Sequence, residues 1–306
     1  MIFNPHELAF GRHESFGLRY GWLTKGTQAF LQNQSVFEQD DATVTLGVGR
    51  NMVRSIKYWL QASCILERIG HAELQLSPIG KFIFSETGVD PYLEDDTTLW
   101  LLHWLLATNA TTATVFFWFF NYFNKTEFCV DDVNASLNNF LDKNTERQFS
   151  KKTIKNDIQV LLRMYSTLIT HNDDSLIIES PFSSLGLISY FPKEKVYRSR
   201  LLKRSDIPIC VFGYAIMSIF INEKSTEIPI DKLMYTKNGT FSLGSVFRLS
   251  EEGFLYIIDK LIDNYPKIFK YSDSAGLRQI YVLNRIKPFV FLENHYSYKN
   301  HGNNNK

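Results

Sequence analysis

Arg50, Arg54, Lys57 and Gln61 recur at i, i+4, i+7 and i+11 of one segment, with Asn51 beside the first. On a helix that spacing gathers them along one side. Guanidinium, ammonium and amide groups in a row suit a helix that enters a nucleic-acid groove. Arginine forks onto the O6 and N7 of guanine, the Asn51 amide matches adenine, and lysine neutralises phosphate. That chemistry requires a face clear of carboxylates. A second set, Lys151, Lys152, Lys155 and Arg163, and a third, Arg198, Arg200, Lys203 and Arg204, offer further phosphate contacts. Residues 143 to 163 hold six basic and two acidic side chains, a local excess that the chain's formal net charge of +1 conceals. Residues 193 to 204 hold six basic and one acidic, which reads equally as a phosphate strip or a charged linker. Each set also has a plainer reading as the solvated face of its element.

Signatures of catalysis are missing where they would be easiest to see. The chain has no G-x-x-x-x-G-K-[ST] loop, no G-x-S-x-G elbow and no H-E-x-x-H helix. GVGRNM, at residues 47–52, lacks a third glycine and a strand before it, and reads better as a helix start. His13 and Glu14 form an adjacent acid–base pair, thin ground for a catalytic site, so no enzyme activity, cofactor or metal is expected. Cys64, Cys129 and Cys210 stand far apart, which argues against zinc fingers and disulfide frameworks and points to the cytoplasm.

The elements that must position these residues follow from the apolar rhythm. Residues 17–33 have helical spacing, and from about Val48 the positions Met52, Val53, Ile56, Trp59, Leu60 and Cys64 form one apolar side. CILERI and AELQL, turning at Gly70 and His71, read as a small antiparallel hairpin, and Ser77-Pro78 opens another helix. Together these describe a winged helix-turn-helix, with His71 in the wing against the nucleic-acid backbone. Residues 86–96 carry five acidic side chains and form a boundary loop.

Leu99 to Phe123 is uncharged over a length that could span a bilayer, yet ATNATTAT interrupts it, so two buried helices are expected, with the aromatic run 116–123 as core and no membrane partner. Helices follow over about 126–141 and, capped by Ser150, over 151–165, the latter with Lys152, Asn156, Gln159 and Arg163 on its polar face. A further apolar helix over 207–221, an amphipathic one in LSEEGFLYIIDKLIDNY, and a hairpin of KIFKYS with LRQIYVLN complete the chain before a polar tail expected to fray. The fold class is mainly α with small β-hairpins, built as winged helix-turn-helix modules packed into a multi-module helical protein. Its domains are an N-terminal winged helix over 1–90, a central helical unit with a second helix-turn-helix-like element over 91–190, a helix-plus-hairpin unit over 191–295 and the tail 296–306.

The strings FGRHESFGLRYGWLTKG, LGVGRNMVRSIKYWL, DPYLEDDTTLWLLHWLL, GSVFRLSEEG and AGLRQIY, in that order from Phe10 to Tyr281, resemble the bacterial and archaeal family of unknown function numbered 4007. The resemblance implies a setting in DNA sulfur-modification and phage-defence islands, beside phosphoadenosine-phosphosulfate-reductase-like and other modification or restriction proteins. It implies no catalytic residues. The expected function is a double-stranded-DNA-binding accessory protein of such a system, taking plain or phosphorothioate-modified duplex. Alternatives are an adaptor that docks the modification enzymes without touching DNA, a transcriptional regulator of its own operon, and a hidden activity centred on His13 and Glu14.

Overall fold

In the computed structural model, which describes residues 3–70, 73–169, 180–236, 240–274 and 276–303, the chain is mainly helical with three small sheets. It divides into two compact units, one made of Phe3–Phe119 and Phe123–Arg200, the other of Leu201 onward with Phe120–Tyr122.

In the first unit, α1 (Trp22–Gln32), a 3-10 turn (Val36–Glu38), α2 (Ala42–Leu46) and α3 (Arg50–Ala62) lead into a hairpin of β1 (Leu66–Ile69) and β2 (Glu73–Leu76), antiparallel with Leu66 opposite Leu76, and then into α4 (Pro78–Phe84). The apolar side of α3 is the expected one: Ile56, Trp59 and Leu60 lose all solvent contact. Ser77 caps α4, its hydroxyl accepting from Gly80 N at 2.9 Å.

The uncharged stretch breaks into α5 (Asp96–Thr108) and α6 (Thr114–Tyr122) at Asn109, whose Nδ2 donates to Ala62 O at 3.0 Å while its Oδ1 accepts from Thr112 N. Among the described residues no helix is long and apolar enough to cross a membrane. The aromatics are core: Trp100, Phe116, Phe117, Trp118 and Phe119 are sealed from solvent.

The next helix, α7 (Val130–Asn144), starts later than the sequence suggests because β3 (Glu127–Phe128) takes the residues before it. Cys129 is the N-cap, its N–H donating to Asp132 Oδ2 at 2.9 Å, and Lys125 reaches the same carboxylate at 2.6 Å. The Cys129 N–H, Lys125 and the Cys129 thiol pull the Asp132 carboxyl down to about 2. A depressed carboxyl stabilises the fold above its unfolded value near about 4 and loses that contribution as the pH falls through about 2. Asp132→Asn is therefore expected to lower the urea midpoint at neutral pH, with variant and wild type converging near about pH 2. A gap unchanged by acid would remove the charge from the cap's contribution.

Ser150 occupies the N-cap of α8 (Lys151–Tyr165) as expected, though its side chain makes no capping bond. After α8 come β4 (Ser166–Leu168), a 3-10 turn (Pro181–Leu185), β5 (Ile188–Phe191) and β6 (Val196–Arg198), in a sheet ordered β3-β6-β5-β4 with β4 and β5 parallel.

The second unit holds α9 (Ile209–Glu223), β7 (Glu227–Pro229), α10 (Ile230–Met234), α11 (Leu243–Val246), α12 (Glu251–Asn264), β8 (Phe269–Ser274), β9 (Leu277–Val282) and α13 (Phe289–Asn303). The expected hairpin pairs β8 with β9, and β7 adds a third strand beside β9. The helix α13 runs through Asn303 and so takes in most of the tail that the sequence reads as polar. Phe291 and Leu292 anchor it in the core, and the Phe291 ring lies so close to Gly213 of α9 that a Cβ there would sit 2.6 Å from it.

Candidate nucleic-acid interface

The stripes on α3 and α8 are joined by a segment that neither stripe announces. Residues 11–18 are strapped to both helices. On α8, the buried Asp157 accepts the Gly11 N–H at 2.8 and 3.1 Å, Asn156 Nδ2 donates to Ser15 Oγ at 2.9 Å, and Arg163 Nη2 donates to Ser15 O at 3.1 Å. On α3, Trp59 Nε1 donates to Phe16 O at 3.1 Å. The strap has unusual backbone: Gly11, Glu14 and Ser15 all have positive φ, at 69°, 49° and 68°. At Gly11 a side chain would meet both that conformation and Thr153 Cγ2 at 2.8 Å.

His13 and Glu14 face different partners. The His13 ring is 1% exposed, stacked 6.0 Å from Trp59 and edge-on to Tyr58, with Nε2 3.0 Å from Asp157 Oδ1 but off the hydrogen-bonding direction. Burial, with Asp157 nearby, drives the Tyr58 hydroxyl far above its ordinary range, so it stays a neutral donor to Thr112 O at 3.1 Å. Glu14, 33% exposed, instead lies 3.7 Å from Arg54.

Between the strap, the first turn of α3 and the polar face of α8 lies an open cleft of about 540 Å³. Lys152, Lys155, Asn156 and Gln159 line it from α8, Asn51 from α3, and Glu14 and Ser15 from the strap. Across residues 11–19, 50–61 and 151–163, nine arginines and lysines stand against two carboxylates, Glu14 and Asp157, while Glu38 and Asp131 meet two of those cations from outside these segments. The electrostatic balance of this region is basic, which favours an anionic partner.

The face of α3 is not clear of carboxylates, a correction to the sequence reading. Besides the Arg54–Glu14 approach, Lys57 forms an ion pair with Glu38 from the 3-10 turn. Arg50 and Asn51 are exposed at the helix start, and Gln61 is half-buried at its far end. On α8, Lys151 and Lys152 are exposed, Lys155 lies 3.5 Å from Asp131, and Arg163 holds the strap. His71 falls outside the described residues.

The third set is corrected more strongly, because strand pairing and burial recruit it. Arg198, on β6, donates to Glu127 and Glu194 at 2.7 Å each and covers the Phe191 ring at 4.1 Å. Lys203 bonds Glu252 at 2.9 Å. Arg204 is 8% exposed, its Nε directed at Arg248 O, and burial lowers its pKa. Of these four, Arg200 alone is exposed with no ion pair among the described residues. Residues 193–204 are thus a β-turn, a strand and a connector rather than a free strip.

Asn156 and Gln159 were visible on the polar face of α8 but carried no assigned role, and Glu14, Ser15 and Asp157 gave no local signal for theirs. Over residues 10–296 the chain matches the family described as "Protein of unknown function (DUF4007)". It is a member of that family. Two solved structures, "SspB crystal structure" and "Magnesium ion-bound SspB crystal structure", are similar to this DUF4007 chain. Each has a TM-score of 0.81 and 24% identity, covering 94% of this chain and 88% of that one, a likeness of fold alone. No curated protein matches it.

Proposed function

We propose that this DUF4007 protein binds double-stranded DNA as an accessory factor of a cytoplasmic DNA sulfur-modification or phage-defence system, working beside phosphoadenosine-phosphosulfate-reductase-like or other modification and restriction proteins. The observation that carries the proposal is the cleft that Lys152 and Lys155 of α8 line together with Asn51 of α3, with Arg54 of the first stripe 3.7 Å from its Glu14 wall. In this reading the order α1, α2, α3, β1, β2, α4 is a winged helix-turn-helix, with α3 its recognition helix and β1–β2 its wing. The sulfur-modification setting rests on the family resemblance.

The ion pairs on α3 fail the requirement of a clear face, so duplex binding by this helix depends on phosphate displacing the carboxylates. Exposed pairs of this kind contribute about 0–1 kcal/mol, so a phosphate can displace Glu14 or Glu38 at small cost. They also give the adaptor reading its one specific support, since paired cations suit a protein surface as well as a nucleic acid.

The deciding measurement is retardation of plain and phosphorothioate duplexes by the purified chain over a salt series. The expected result is binding whose logarithm falls linearly with the logarithm of salt concentration. Absence of retardation at low salt, together with co-purification of a modification protein, would replace the proposal with the adaptor.

A further inference from the structure

The cleft holds a carboxylate that a pure phosphate site would exclude. Glu14 lines it together with Lys152 and Lys155, and a fixed negative charge beside bound phosphate is repulsive. Its placement is also held against the backbone's own preference: Glu14 and Ser15 are both in the left-handed region, which costs non-glycine residues of order 1–2 kcal/mol each. Asp157, Asn156, Arg163 and Trp59 hold the strap in that shape.

The remaining lining groups are suited to reading bases. Asn51, Asn156 and Gln159 are amides, which present a donor and an acceptor together. Asn156 commits one Nδ2 hydrogen to Ser15 Oγ, and keeps its carbonyl oxygen and its other Nδ2 hydrogen for a ligand. The two Glu14 oxygens only accept, and a keto edge has no hydrogen to give them. The matching partners are the exocyclic amino groups of cytosine N4 and adenine N6, since carboxylates accept from cytosine N4 and amides pair with adenine N6 and N7.

Building on the duplex-binding reading, we propose that this cleft is the sequence-reading part of the interface. Glu14, Asn51, Asn156 and Gln159 select adenine or cytosine edges in the major groove, while Lys152 and Lys155 hold the flanking phosphates. Arg54, 61% exposed, moves from Glu14 to the backbone when a base takes the carboxylate.

Enrichment of bound sequences from a randomised duplex pool by the full-length protein tests this. The wild type is expected to favour adenine or cytosine over guanine or thymine at a fixed position by roughly tenfold. Glu14→Gln, nearly isosteric, is expected to keep the wild-type urea midpoint and to bind the pool somewhat more tightly, with the preference reduced to about twofold or less. Lys152→Ala with Lys155→Ala should weaken pool binding and leave the motif in place. A wild type that retains the pool without preference, or a Glu14→Gln variant with an unchanged motif, overturns base reading and leaves duplex binding standing. A wild type that retains no duplex overturns both.

Discussion

Asp157→Ala is expected to lower the unfolding free energy by about 2–4 kcal/mol. The carboxylate is buried, accepts the Gly11 N–H with both oxygens and faces His13. Its removal leaves the Gly11 donor and the buried imidazole without their polar neighbour, and a buried unsatisfied group costs the full loss of its hydration. Asp157→Asn retains one acceptor and is expected to fall between the two. Urea unfolding followed by tryptophan fluorescence measures the difference, with Trp59 stacked against His13 as a local reporter. An alanine variant within about 0.5 kcal/mol of wild type would show that the strap is held by its other bonds.

The second large effect concerns binding. Replacing Arg50, Arg54, Lys152 and Lys155 together by alanine is expected to reduce the slope of log affinity against log salt by about 3 to 4, since each phosphate contact contributes about 0.9. Near about 0.1 M salt the duplex affinity should drop by roughly two orders of magnitude. Lys57 is left out of the set because Glu38 hydrogen-bonds it directly, whereas Arg54 and Lys155 stand 3.7 and 3.5 Å from their carboxylates. Arg54→Ala alone should cost more than Arg50→Ala, because loss of Arg54 also leaves the Glu14 carboxylate uncompensated beside the phosphates. An unchanged slope in the quadruple variant would remove both stripes from the interface, leaving the adaptor reading.

Much of the fold was legible because its signals are local. The apolar side of α3, the β1–β2 hairpin, the Ser77-Pro78 start of α4, the break at Asn109 and the α12-plus-hairpin unit each depend on spacing within a single segment. The strands β3, β4, β6 and β7 were missed because two or three residues cannot display a period. Charge runs misled for a related reason: a sum along the chain counts cations but not their partners in space. Arg198 meets Glu127 from 71 residues away, and Lys203 and Arg204 are engaged by residues 49 and 44 positions distant. The cleft was half-visible. Its helical residues lay on readable faces, while the strap depends on contacts with a sequence separation of 146, such as Gly11 with Asp157.

The amide of Asn109 has a consequence for how the chain is made. On either side of it, α6 and the part of α5 after Asp96 bring uncharged, strongly apolar sequence, and joined end to end they would reach the roughly 20 residues that insertion machinery accepts as a bilayer span. By drawing its partners from Ala62 and Thr112, this one side chain folds the stretch back on itself. With leucine there both bonds would be lost, and the stretch would stand one polar side chain closer to the pattern of a bilayer span.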